Sequence, residues 1–183
     1  MMHFKLIFPL FLFLLLNPNS NEETIAWRDS YKLSWENFRG EPKTNTDAVA
    51  VTASGITFSY SMRRSDSRIV DFSTIVEAHF YPNKSWYNKS EADAYILAHE
   101  QLHFDITELH VRKFRRQISQ IKVNHALKSI LDGLHQNINT ELSTMQNLYD
   151  RESNNSIHKE QQAKWTRYIE NELNALEAYK SKD

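Results

Sequence analysis

The chain of 183 residues contains no cysteine, which excludes disulfides, cysteine-based metal sites and a lipoprotein anchor. It has only 3 glycines and 4 prolines, which argues against a linker-rich or low-complexity chain. It also lacks an excess of either charge, because 22 Lys and Arg stand against 23 Asp and Glu. Nothing in this balance indicates nucleic acid or an anionic membrane as a partner. The length fits one domain with a modest core.

An apolar run near the N-terminus differs from the rest of the sequence. Lys5 precedes the apolar residues 6–16, and the polar residues 17–20 follow them. This order is typical of a secretory signal peptide, and the run is short for a membrane span. We therefore expect residues 1–20 to be a signal peptide and residues 21–183 to form a single secreted or periplasmic domain without stable membrane insertion. An uncleaved N-terminal anchor is the alternative.

The segment between residues 24 and 82 predicts β-strands. Residues 48–52 and 55–60 alternate and are rich in β-branched side chains, and residues 69–80 form a longer run of the same kind. Residues 24–27 are a shorter candidate. We expect a small sheet in this half of the chain.

From Ser90 onward the pattern predicts three helices. Ser90 and Asp93 resemble a capping box, and the first helix should reach about Ile121. It carries two apolar stripes, so we expect it to be packed on two sides. One stripe consists of Leu102, Ile106 and Leu109, and the other of Phe104, Val111, Phe114 and Ile118. A second helix covers about 127–145, residues 150–156 read as a polar loop, and a third helix carries Trp165 to Leu176. A small sheet followed by helices is an α+β fold.

The first predicted helix contains the motif His99-Glu100-Gln101-Leu102-His103. Because helical residues advance by about 100°, the two histidines lie one turn apart on the same face, between the apolar stripes. Two such imidazoles can bind one zinc ion, and Glu100 can then act as a general base towards a water molecule. We expect a zinc site here.

A catalytic zinc site requires a third protein ligand. Glu108 lies on the opposite side of the helix, so we expect it at the surface or supporting the site from behind. His110 lies about 10 Å further along the axis than His103 and is a poor ligand. His158 and Glu141 remain from the later helices, and we expect His158 first.

Three more side chains are candidates for supporting roles. Asp105 follows the second histidine closely, and carboxylates often orient ligating histidines. Tyr149 and His79 are candidates for polarising a substrate carbonyl. Each of the three also has a purely structural interpretation.

The order of motifs resembles a known bacterial family. The segments are KLSWENFRG, then AVAVTASGI, then SWYNKSEADAYILAHEQLHFDITELHVRKFRRQI, then YDRESNNSIHKEQQAKW. They are similar to domain of unknown function 922, which is described as predicted secreted zinc-dependent proteases. The resemblance implies a zincin-like domain with His99 and His103 as zinc ligands and Glu100 as catalytic residue. It also matches a second family block at Tyr149, Asp150, His158 and Trp165.

Together these observations predict a secreted zincin-like metallohydrolase, most readily a peptidase acting on peptide or protein substrates. Zinc would be held by His99, His103 and His158, with Glu100 and Tyr149 as catalytic groups and Asp105 behind the ligands. The strand edge at residues 73–80 could hold an extended peptide. The alternatives are a zinc amidase acting on cell-envelope material and an exported zinc-binding protein without catalytic activity.

Overall fold

The computed structural model describes residues 22–43, 46 and 48–181, and the expected signal peptide lies outside this range. The described chain has an α+β fold, as predicted. Its strands are β1 (Ile25–Ala26), β2 (Ala50–Val51), β3 (Ser54–Ser65), β4 (Arg68–Phe80) and β5 (Trp86–Tyr87). Its helices are α1 (Ala94–Ser119), α2 (Leu127–Ser153) and α3 (Lys159–Ala175), with short 3-10 turns at Trp35–Asn37 and Glu177–Tyr179. In the part of the chain that is described, no helix is long and apolar enough to cross a membrane.

The sheet is built around one long antiparallel hairpin. Strands β3 and β4 pair along their whole length, for example Phe58 with Val76. Strand β1 adds to the other edge of β4 at its last two residues, Phe80 and His79. Alternate side chains of the hairpin, such as Phe58, face the helices and join the core. The short strands β2 and β5 form a separate two-stranded sheet.

Helix α1 runs through the middle of the domain and is packed on two sides, as its two apolar stripes predict. Phe104, Val111 and Phe114 belong to the core that α1 shares with the hairpin and the first part of α2. Leu102, Ile106 and Leu109 belong to a second core with the rest of α2 and with α3. Burying each such side chain contributes about 1.5–3 kcal/mol. The face between the stripes is therefore enclosed by neighbouring elements.

Two helix boundaries differ from the prediction. Helix α1 is capped by Asp93, whose carboxylate accepts a hydrogen bond from the amide of Ile96 at 2.8 Å, whereas Ser90 bonds to Asn88 instead. Helix α2 continues to Ser153, beyond the predicted start of the loop at residue 150. It ends in a turn of left-handed residues at 154–156, with φ angles of 50°, 48° and 72°. The extra turn of α2 brings residue 150 into the helix.

Candidate metal centre

The two motif histidines lie on α1 and face the interior between α1 and α2. His99 and His103 are only 3% and 6% exposed, and their Nε2 atoms are 3.1 Å apart. The one-turn spacing of the motif produces this approach, since residues four apart are neighbours on a helix surface. Glu100 is also buried, with 4% exposure.

Asp150 joins the two histidines from the last part of α2. Its Oδ1 atom lies 3.2 Å from His99 Nε2 and 2.8 Å from His103 Nε2. The ligating atoms of these three side chains all lie within 4.8 Å of one another. This group, which we call the metal cluster, is close enough to hold a metal ion.

The charges within the metal cluster are strongly coupled. Burial disfavours the charged form of His103, but the adjacent Asp150 carboxylate outweighs it and raises the pKa of His103 to about 9. Burial likewise opposes the charge of Asp150, but His103 and His99 hold the pKa of this carboxyl well below its usual range. The Asp150 carboxylate thus favours positive charge at the point where the two Nε2 atoms meet.

Among the residues that the structure describes, several buried polar atoms around the metal cluster have no hydrogen-bond partner. They are Nδ1 of His99, Oε2 of Glu100 and the hydroxyl of Tyr149. The ring of Tyr149 stacks on His99 with a centroid distance of 4.4 Å, and burial raises the pKa of its phenol. Folded proteins pair the great majority of such groups, so these unpaired atoms, together with the geometry of the metal cluster, make it a candidate ligand site.

Gln146, one helical turn before Asp150, contacts the second motif histidine. Its Oε1 atom meets Nδ1 of His103, and its Nε2 atom donates to the carbonyl oxygen of His103 at 2.9 Å. A further bond runs from Nε2 to the hydroxyl of Thr107 at 3.3 Å. The sequence pattern carried no signal for this residue, because a glutamine on an amphipathic helix is most often a solvated side chain.

Comparison with known proteins places the chain in a family. The family model described as "Bacterial protein of unknown function (DUF922)" matches residues 33–159. The chain belongs to the DUF922 family. The match includes the whole metal cluster, Glu100 and Gln146, and it confirms the family that the sequence motifs resemble. No curated protein and no solved structure shows significant similarity to this DUF922 chain.

The structure does not bring the expected third ligand of the DUF922 chain to the motif histidines. His158 lies at the start of α3, exposed, with Nδ1 3.3 Å from the carbonyl oxygen of Glu152. The side chain that joins the two histidines is that of Asp150. The reason is the extension of α2, which carries Asp150 inwards and leaves His158 beyond the following turn. The alternative ligand Glu141 is exposed and lines a separate groove with His110.

Two carboxylates on α1 also differ from expectation. Asp105 accepts hydrogen bonds from Trp27 Nε1 at 2.7 Å and from Gln101 Nε2 at 2.9 Å. It therefore ties α1 to the N-terminal segment and does not support the ligands, since two residues past His103 is about 200° around the helix. Glu108, expected at the surface or behind the site, is fully buried in an ion pair with Arg112.

The strand edge expected to hold a peptide lies away from the metal cluster along most of its length. Arg115 donates to the carbonyl oxygen of Val76 on β4 at 3.1 Å, and it stands twelve residues, or about 18 Å, beyond His103 on α1. The other side chain considered for the carbonyl, His79, contacts Thr57 on the hairpin. Thr52, which follows β2, does contact the motif. Its hydroxyl donates to the carbonyl oxygen of Glu100 at 3.1 Å.

Proposed function

We propose that this DUF922 protein is a zinc-dependent metallohydrolase, and specifically a peptidase that acts outside the cytoplasm on peptide or protein substrates. The observation that carries the proposal is the meeting of His99, His103 and Asp150 beside a buried glutamate. Two imidazoles and one carboxylate are a donor set that zinc accepts, and three protein ligands leave a position open for chemistry. The apolar run at residues 6–16 supports export.

The spacing of the donor atoms is compatible with a zinc ion. Ligands at zinc–nitrogen and zinc–oxygen distances near 2.0–2.1 Å lie about 3.3 Å apart when arranged as a tetrahedron. The three separations among His99 Nε2, His103 Nε2 and Asp150 Oδ1 are 3.1, 3.2 and 2.8 Å. Small movements of the side chains would therefore admit the ion.

A zinc ion held there would polarise a substrate carbonyl and acidify a water molecule. Glu100 follows His99 directly, and its Oε2 atom is buried without a partner. In the proposed reaction, this carboxylate takes a proton from the attacking water and later returns it to the leaving amine. Tyr149 has a buried hydroxyl next to the same cluster, and its raised pKa keeps the proton available for donation to an oxyanion.

A purely structural zinc site is the main rival, and it would be closed by a fourth protein ligand. Among the residues that the structure describes, the metal cluster offers three ligating side chains. The buried acidic side chain next to His99, Glu100, is not part of that set. This arrangement favours catalysis over a structural role.

The test combines metal analysis with one substitution. Protein purified without chelator should contain about one zinc per chain, and Glu100→Gln should keep that zinc and the fold. The variant should lose about 10²- to 10⁴-fold in the rate of hydrolysis of a quenched peptide library, because an amide cannot act as a general base. Glu141→Gln, on the exposed face of α2, is the matched control and should keep full activity.

Two outcomes would contradict the proposal. Wild-type protein that neither contains zinc nor takes it up would remove the metal site. Full hydrolytic activity of Glu100→Gln on a peptide that the wild type cleaves would remove the assigned role of the carboxylate.

A further inference from the structure

The second motif histidine is held differently from the first. His103 has a hydrogen-bond partner on Nδ1, namely Gln146, whereas Nδ1 of His99 has none and its ring is fixed by stacking on Tyr149. A histidine can bind a metal through either ring nitrogen. Which one it uses depends on the hydrogen bond that the other nitrogen makes. The environment of Nδ1 in His103 therefore decides what its Nε2 atom can do.

The orientation of the Gln146 amide follows from its neighbours. A carbonyl oxygen only accepts hydrogen bonds, so the amide atom 2.9 Å from the carbonyl oxygen of His103 must be the NH₂ group. The atom that meets Nδ1 of His103 is then the amide oxygen, which only accepts. Nδ1 must therefore carry the proton, which leaves Nε2 as the atom that can give its lone pair to a metal.

The amide is held in this orientation by a chain of polar contacts. Its Nε2 atom also reaches the hydroxyl of Thr107 at 3.3 Å, and this hydroxyl lies 2.7 Å from that of Ser54 on β3. Gln146 is itself buried. The chain connects the sheet, α1 and α2 at one point, so the acceptor facing His103 is pre-organised before any metal arrives.

We propose that Gln146 is a positioning residue of the metal centre, which fixes the Nδ1–H tautomer and the ring orientation of His103 through its amide oxygen. The proposal rests on the proposed function in so far as the cluster binds zinc. Partners that orient metal-ligating histidines in this way typically change metal affinity by 10- to 100-fold when they are removed. In this chain an amide takes the place that a carboxylate or a backbone carbonyl often has.

Two substitutions separate the acceptor from the rest of the side chain. Gln146→Met removes both the acceptor and the donor at similar volume, and Gln146→Glu keeps an acceptor while removing the donor to the His103 carbonyl and to Thr107. Both variants lose the same donor bonds, so their difference reports the contact with Nδ1 together with the negative charge that the glutamate adds. In chelator competition with zinc, Gln146→Met should bind about 10- to 100-fold more weakly than wild type, and Gln146→Glu should recover most of this loss.

The overturning results are distinct from failure of the proposed function. Equal zinc affinity of Gln146→Met and wild type, or equal weakening by both substitutions, would overturn the positioning role. If Gln146→Met fails to fold, ¹⁵N-detected spectra of zinc-loaded wild type decide, because Nδ1 of His103 should carry a slowly exchanging proton; its absence would overturn the proposal. A wild-type protein that binds no zinc would overturn the proposed function and this role with it.

Discussion

Helix α1 carries two buried polar clusters that differ in how completely they are paired. In the metal cluster and its surroundings, His99, Glu100 and Tyr149 each have a buried atom that finds no partner within residues 22–43, 46 and 48–181. Less than two turns beyond His103, the carboxylate of Glu108 accepts bonds from Arg112 Nε at 2.9 Å and from the amide and hydroxyl of Ser181 at 3.1 and 2.8 Å. Both clusters therefore bury charged groups. They differ in how many of the buried polar atoms have a hydrogen-bond partner.

The difference indicates which cluster stabilises the fold and which one has another role. Arg112 also donates to the carbonyl oxygen of Leu173 at 2.7 Å, so the second cluster joins the C-terminal segment to α1. Unpaired buried groups cost free energy of folding, about 1–3 kcal/mol each, and a chain gains nothing in stability by retaining them. The unpaired atoms around His99 and His103 therefore add nothing to the stability of the fold, which agrees with the proposed role in metal binding.

The largest expected effect comes from breaking the paired cluster. Arg112→Met leaves Glu108 buried without its partner, and it should lower the free energy of unfolding by about 3–5 kcal/mol. Urea denaturation measures this, with Lys128→Met as control, since the pair of Lys128 with Asp132 is exposed and contributes little. Zinc affinity should not change. A parallel loss of stability and zinc binding would show that the two clusters act as one unit.

The next largest effect distinguishes Asp150 from His158 as the proposed third ligand. Asp150→Ala should weaken zinc binding by at least about 100-fold, beyond the range of an outer partner, because a direct ligand is lost. His158→Ala changes an exposed residue a short distance along the chain and should leave the affinity unaltered. Chelator competition on both variants gives the answer. The reverse pattern would return His158 to the metal centre.

The smallest effect is the dependence of metal binding on pH. Since the pKa of His103 is raised to about 9 in the metal-free protein, zinc must displace a proton at neutral pH, and its affinity should rise about tenfold per pH unit from 7 towards 9.

The ion pair with Asp150 stabilises the metal-free fold most fully below the ordinary histidine pKa of about 6.5, and this contribution is lost as the pH rises through about 9. At low pH the stability of the fold depends on Asp150. Because the pKa of this carboxyl is lowered, its contribution to the free energy of unfolding is present above the ordinary value of 3.8 and is lost in acid. Zinc titrations and thermal melts across this range test both signs, and a flat affinity profile would contradict the assignment.

The sequence predicted the parts of the molecule that depend on local pattern. The two apolar stripes of α1 and the spacing of His99 and His103 follow from helical periodicity, and the structure has both. The Asn- and Ser-rich composition of residues 150–156 predicts a loop that begins at Asp150, whereas α2 continues to Ser153. The apolar spacing of Leu142, Met145 and Tyr149 extends the helical pattern towards Asp150, and this is the signal in the sequence that places the carboxylate on the helix.

Other features depend on contacts that no local pattern encodes. Glu108 is buried because Ser181, 73 residues later, returns to bind its carboxylate. Gln146 faces His103 because the packing of α1 against α2 brings together residues 43 apart in sequence. Tertiary packing decides these positions, and it also explains why Asp105 bonds to Trp27 and not to the ligands.

The place of Asp150 within α2 has a consequence for the tolerance of the chain to insertions and deletions. The left-handed residues 154–156 form the turn after the helix, and the carbonyl oxygen of Asp150 accepts the amide of Asn155 at 2.9 Å. Insertions and deletions accumulate in such surface turns. A change in the length of this turn moves His158 with α3, whereas Asp150 stays in the register of the preceding helix. A change of length immediately after α2 would therefore leave the distance between the Asp150 carboxylate and the two histidines unaltered.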